Sequence, residues 1–224
     1  MLDKLRIKQL YHVYGGIAQS EYRRLLEHKE NLIAYDSDPF RYDQRMKLYR
    51  ELDRLPNGGV VWDGGCGTGK AISNLQHSRK YHHLSFLGID YLASYLFSGD
   101  LPIEKPQLPI LAGLIEDLNG GVRDAAKSVH RFPPNLIILD NCLYQALGRK
   151  TLDLVLKGAY DVLAPGGIVL VYDERGMEDP EAETPLYERI VQTCNARKIP
   201  FQIDIPRGDG TYCDHYMRMT KEKK

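Results

Sequence analysis

Residues Val60 to Lys70 read VVWDGGCGTGK. A short apolar run ends in Asp63, glycines follow at 64, 65, 67 and 69, and Lys70 stands directly behind them. A loop this rich in glycine lets backbone approach a ligand closely and adopt left-handed conformations. The pattern predicts a helix from about Thr68. Its first turn would aim free N–H groups and the positive end of its dipole at the strand tips, favouring an anion by about 0.3–1 kcal/mol. The ligand could be the phosphates of ATP, the pyrophosphate of NAD or a cofactor without phosphate.

Spacing separates these. Gly64 to Lys70 follows a phosphate-binding G-x-x-x-x-G-K, but Ala71 stands where a Mg²⁺-binding hydroxyl belongs. Asp140 is at most a weak partner acid, and Asp63 would repel a triphosphate. The dinucleotide pattern G-x-G-x-x-G fails because its third glycine comes one residue early, with Lys70 in its place. A bare turn has little use for four glycines, each costly in conformational entropy. What remains is D-x-G-x-G-x-G, carried by Asp63, Gly65, Gly67 and Gly69.

Other candidates recur at regular intervals. LSFLGI ends in Asp90, which can accept two ribose hydroxyls or cap the helix that follows Tyr91. Gly113-Leu114-Ile115-Glu116-Asp117 follows the next apolar run, with Ile115 as an apolar wall and Glu116 and Asp117 as either ligand-facing or surface acids. NLIILDNCLYQAL, Asn135 to Leu147, places Asp140, Asn141 and Tyr144 at a strand tip. Asp173 and Glu174 end a further strand, and His215 lies in the tail.

The elements that must hold these residues are short. The apolar runs 60–62, 84–89, 108–112, 136–139 and 168–172 are aliphatic and flanked by Gly, Pro, Asn or Asp, as buried parallel strands are. Helices are expected over 68–79, 92–98, 121–129 and 151–163, the last stopped by Ala164-Pro165-Gly166-Gly167. This alternation predicts a doubly wound α/β sheet. A helix over 184–197 and a hairpin from FQIDI and TYCDHYMRM close the chain. Residues 1–57 are helical in pattern and tyrosine-rich, interrupted by Pro39 and ended by Pro56-Asn57-Gly58-Gly59. They are expected to form a lid on the domain of 58–224.

The D-x-G-x-G-x-G loop, the Asp90 strand end, NLIILDN and YDVLAPGGIVLVYD together resemble class I S-adenosylmethionine-dependent methyltransferases, over roughly residues 58–219. The resemblance implies a Rossmann-like seven-stranded sheet of order 3-2-1-4-5-7-6 with strand seven antiparallel. It implies S-adenosyl-L-methionine as cofactor, held by Asp63, Gly64, Gly65, Gly67, Gly69, Asp90, Tyr91, Ile115, Glu116 and Asp140. It places Asp140, Asn141 and Tyr144 beside the transferring methyl. The family often has an Asp where Leu114 stands, so backbone groups near Leu114 and Ile115 are the expected adenine contacts. The doubled Tyr-Asp of Tyr35-Asp36 and Tyr42-Asp43 resembles small-molecule methyltransferases, with Tyr35 covering the cofactor and Tyr42 near the chemistry. Tyr14 is a third lid tyrosine. Aromatic faces there would favour a sulfonium by about 0.5–2 kcal/mol. The alternative for each tyrosine is packing between lid and core.

Bulk properties narrow the acceptor. The 224 residues carry 30 basic and 30 acidic side chains, for zero net charge, without the basic excess of a nucleic-acid binder. Cys66, Cys142, Cys194 and Cys213 show no C-x-x-C spacing, which fits a reducing compartment. The N-terminus lacks a signal-peptide core, and no apolar run is long enough to span a bilayer, so a cytoplasmic protein is expected. The expected activity is in-line methyl transfer to N or O of a small molecule. RNA or protein methylation, or a catalytically silent cofactor-binding partner subunit, are the alternatives. A Mg²⁺ held between Asp140 and Asp173 is a minor variant, and no metal is expected. Monomer and homodimer stay open.

Overall fold

The computed structural model describes residues 2–28, 48–140, 142–143, 151–172, 186–204 and 216–222. Seven strands form one sheet of order β3-β2-β1-β4-β5-β7-β6. They are β1 (Val60–Gly64), β2 (Ser85–Asp90), β3 (Ile110–Ala112), β4 (Leu136–Asp140), β5 (Ile168–Tyr172), β6 (Phe201–Asp204) and β7 (Tyr216–Thr220). β1 to β5 run parallel, and β7 is antiparallel to both β5 and β6. The expected sheet order is therefore the one found. β1 runs two residues past the expected Trp62, which carries Asp63 and Gly64 inside the strand. β3 is shorter than its apolar run.

The helices are α1 (Leu2–Glu27), α2 (Lys70–His77), α3 (Ala93–Leu96), α4 (Gly121–Ser128), α5 (Leu152–Val162) and α6 (Leu186–Arg197), with a further helical segment at 48–52. Side chains alternate across the sheet. Trp62, Leu87, Ile137 and Val169 face a core completed by Val155 and Leu156 of α5 and Ile190 of α6. Val61, Phe86, Ile138 and Leu170 face the opposite core, closed by Ile72 and Leu75 of α2 and by Leu48 and Leu52. The Ala164–Gly167 turn reverses the chain into β5, with Gly166 at φ 76°. Lys221 Nζ donates to the carbonyls of Asp161 and Leu163 there, satisfying groups left over at the end of α5.

α1 is a single helix of 26 residues, about 39 Å long. Gly15 and Gly16 do not break it; each costs about 1 kcal/mol against alanine, and packing supplies the rest. Its buried residues Leu10, Tyr14, Ala18 and Leu25 recur at helical spacing. Ala18 and Leu25 pack on Leu92, Leu96 and Leu101, while Leu10 and Tyr14 meet Leu114 and Leu154. Polar ties add to this. Arg6 donates both terminal nitrogens to Asp153 at 2.9 and 3.0 Å, Asp153 also accepts from Arg197 of α6, and the Tyr22 hydroxyl donates to Asp100. α1 thus lies over the C-terminal strand ends. Tyr35, Tyr42 and Pro39 fall outside the described residues.

Candidate functional site

β1 lies between β2 and β4, where the chain stops building toward β3 and starts building toward β5. Open α/β sheets bind ligands at such a switch point, beyond the strand tips. The loop leaving β1 needs its glycines. Gly65, Gly67 and Gly69 have φ of 79°, 54° and 73°, where other residues are strained. A β-carbon on Gly65 would stand 2.5 Å from that of Cys142. Gly65 and Cys66 donate N–H to the Ile89 carbonyl at 2.7 and 3.2 Å, folding the loop onto the tip of β2. α2 begins at Lys70, two residues later than the expected Thr68, because Gly69 is still left-handed. Lys70 is an exposed first-turn residue, as its position suggests.

Two acids flank the loop from inside. Asp90 accepts from the Gly67 N–H at 2.9 Å and the Leu92 N–H at 2.8 Å, one on each oxygen. It therefore fixes the loop and also caps the turn into α3, while each oxygen keeps a lone pair for a ligand hydroxyl. Burial pushes the Asp90 carboxyl up to about 6, against the two N–H groups that hold it down. Burial, and then the charge of Asp90, push Asp63 up to about 7. Among the described residues no cation contributes to either shift. A buried carboxylate pair of this kind favours a ligand that brings positive charge.

A cleft opens beside the loop. Gly65, Asp90, Tyr91, Gly113, Leu114 and Ile115 line it from the tips of β1, β2 and β3. Tyr14 of α1, Glu116 and Cys142 complete it. Glu116 and Asp117 are not surface acids: they are 2% and 6% exposed. The helical turn Ile115–Asp117 carries both beneath α1 and α5. Glu116 Oε1 accepts from the hydroxyls of Tyr14 and Thr151, each at 2.7 Å, and its Oε2 is buried without a hydrogen bond. Asp117 Oδ2 accepts from the Tyr11 hydroxyl at 2.9 Å and from the Gly121 N–H, which opens α4.

No protein-family model matches the chain, and no curated protein matches it. Solved structures do. The N-methyltransferase NodS from Bradyrhizobium japonicum superposes with a TM-score of 0.54 at 16% identity, over 84% of this chain and 99% of that one. Its complex with S-adenosyl-L-homocysteine gives 0.51 at 15% identity, over 91% and 98%. A SAM-dependent methyltransferase from Methanosarcina mazei gives 0.50 at 14% identity, over 80% and 98%. The chain has the SAM-dependent methyltransferase fold. At these identities the likeness speaks to architecture, and it agrees with the strand order and the switch-point loop.

Within that methyltransferase fold the expected site residues separate into three groups. Gly65, Asp90, Tyr91, Ile115 and Glu116 line the cleft. Asp63 and Gly64 stand just behind it in β1, Gly67 and Gly69 shape the loop, and Asp140 is buried at the tip of β4. Tyr35, Tyr42, Asn141, Tyr144, Asp173, Glu174 and His215 lie outside the described residues. Among the described residues no group of three His, Cys, Asp or Glu is placed to hold a metal. Cys142 and Thr151 are site residues that sequence reasoning missed. Cys142 sits two residues past the β4 tip, a signal that was present; Thr151 reaches Glu116 from 35 positions away, and nothing in spacing reveals that.

Proposed function

We propose that this chain is an S-adenosylmethionine-dependent methyltransferase acting on N or O of a small molecule. The observation that carries the reading is the buried acid pair Asp63 and Asp90, with no described cation beside it, around a left-handed glycine loop at the switch point of this fold. The residues fit a zwitterionic, cationic nucleoside. Gly65 leaves the space that a β-carbon would fill. Asp90 keeps lone pairs for ribose hydroxyls, Asp63 supplies negative charge for an ammonium, and Tyr91, Leu114 and Ile115 offer apolar surface to a purine. The cofactor, when bound, supplies a sulfonium methyl already activated for in-line displacement.

The protein's own contribution is placement. Asp90 locks the loop, so the cofactor's surroundings are rigid before binding, and orientation of this kind is worth many orders of magnitude in rate. Asp140, with Asn141 and Tyr144, is assigned to orienting the acceptor at the β4 tip, and a base is needed only where the acceptor must lose a proton. Residues 1–57 act as the lid on a 58–224 catalytic domain. The balanced charge supports a small acceptor rather than RNA, and the scattered cysteines without C-x-x-C spacing support a cytoplasmic setting. No described helix is long and apolar enough to cross a membrane.

Isothermal titration with S-adenosylhomocysteine should show one site per chain, and product release should follow on a panel of small amines and hydroxyl compounds. Absence of binding would sink the reading. Turnover confined to RNA or protein would move the acceptor to those classes, and binding with no turnover on any acceptor would assign a silent partner subunit.

A further inference from the structure

Tyr14 stands where the ligand should go. It lines the cleft yet is only 5% exposed. Its ring lies 5.2 Å from that of Tyr91, tilted by 59°, and its hydroxyl donates to Glu116. The cavity left beside it is about 30 Å³, room for one or two waters. Pockets that hold a nucleoside-sized ligand run to roughly 300 Å³ or more. The apolar surface of Leu114 and Tyr91 is therefore already covered by a side chain from α1, while Ile115 stays partly open.

The fastening of α1 is of a kind that can release. Its ion pair, Arg6 with Asp153, is partly exposed on both sides. The tie from Tyr22 to Asp100 is at the surface, and Tyr11 reaches Asp117 from a half-exposed position. The single hydroxyl ties exchange readily for water, and the two-pronged Arg6–Asp153 pair is the firmest of the exposed contacts. Among these polar ties Tyr14 is the buried one, set on a buried acid and flanked along α1 by the apolar contacts of Leu10 and Ala18.

We propose that Tyr14 is a plug. It fills the nucleoside end of the cleft, and α1 must withdraw it from Glu116 before the cofactor enters. The inference rests on the function proposed above and adds a gate to the same site. It has a chemical consequence. When Tyr14 leaves, Glu116 keeps Thr151 and loses its other donor, so a ligand that brings an N–H or O–H donor there is preferred.

Stopped-flow binding of S-adenosylhomocysteine tests the gate in the full chain. In the parent, the observed association rate should level off at high ligand, because opening of α1 limits it. Tyr14→Ala should remove that plateau, raise the association rate about tenfold and lower the Kd, since the fraction competent to bind rises. Tyr14→Phe keeps the ring and its packing but loses the latch; it should give a rise of a few-fold, and it carries the test if Tyr14→Ala does not fold. If the parent binds without a plateau and the variants bind more weakly, Tyr14 is an ordinary contact and the gate falls while the function stands. If neither parent nor variants bind, both readings fall. Binding by Tyr14→Ala alone would support both.

Discussion

Asp63 and Glu51 are both buried carboxylates, at 4% exposure each, and the chain treats them in opposite ways. Glu51 Oε1 accepts from Arg218 Nε at 3.2 Å and from Arg54 at 3.1 Å, joining the 48–52 helix to β7. Asp153, farther out, follows the same plan: burial pushes its carboxyl up, but Arg6 and then Arg197 hold it below the usual range. Asp63 is raised by burial and then by the neighbouring charge of Asp90, with no described arginine to oppose them. Acids that the protein pairs with its own arginines join elements. Buried acids close together with no described cation beside them, as Asp63 and Asp90 are, cost stability and favour a ligand that brings the charge. Among the described residues the pair Asp63 and Asp90 stands at the switch point.

The largest effect is expected where that pocket is shaped. Gly65→Val puts a branched side chain at φ 79° and against Cys142. Backbone strain there is of order 1–3 kcal/mol before the clash is counted. S-adenosylhomocysteine affinity should fall more than about 100-fold, measured by calorimetry. Parent-like binding would show that the ligand does not use this loop.

A pair of isosteric substitutions separates the two kinds of acid. Asp63→Asn removes a charge meant for the ligand, and a charge-assisted contact is worth about 1.5–3 kcal/mol. Affinity should fall about 10- to 100-fold, while the melting temperature holds or rises. Glu51→Gln should do the reverse. It leaves Arg218 only partly exposed and without its carboxylate, costing about 1–3 kcal/mol of stability, with affinity unchanged. If both variants lose stability and neither loses affinity, Asp63 and Glu51 are acids of one structural kind.

The same contrast explains what the sequence revealed. The glycine spacing, Asp90 and the LAPGG turn specify β1, β2, β5 and the loop through local rules; β5 has its expected bounds, β2 is shifted by one residue and β1 runs two residues longer. Glu116 and Asp117 did not yield to such rules. Two acids after a strand read equally well as surface residues, and they are buried because hydroxyls from Tyr14, Tyr11 and Thr151 reach them from 35 to 106 positions away. α2 starts late because a left-handed Gly69 ends the loop, a dihedral that composition does not fix. Non-local polar partners and backbone handedness were the hidden part; apolar periodicity and turn chemistry were the visible part.

The smallest effect expected, and the one that reads the bare acids directly, is on pH. Asp63 at about 7 and Asp90 at about 6 lie above the unfolded carboxylate value of about 3.9. Groups raised on folding favour the folded state at low pH, and that contribution is lost as pH rises through 6 and 7. The free protein should therefore melt lower at pH 7.5 than at pH 5.5. Ligand binding carries the opposite sign, because a cation selects the ionised acids. A group titrating near 7 is roughly 10% ionised at pH 6 and 75% at pH 7.5, so affinity should rise about eightfold across that interval. Titration in buffers of different ionisation enthalpy should show proton release on binding. Asp63→Asn should flatten both profiles, and Glu51→Gln should leave the binding profile as it was. A flat profile in the parent would mean that Asp63 is already paired, and the contrast with Glu51 would vanish.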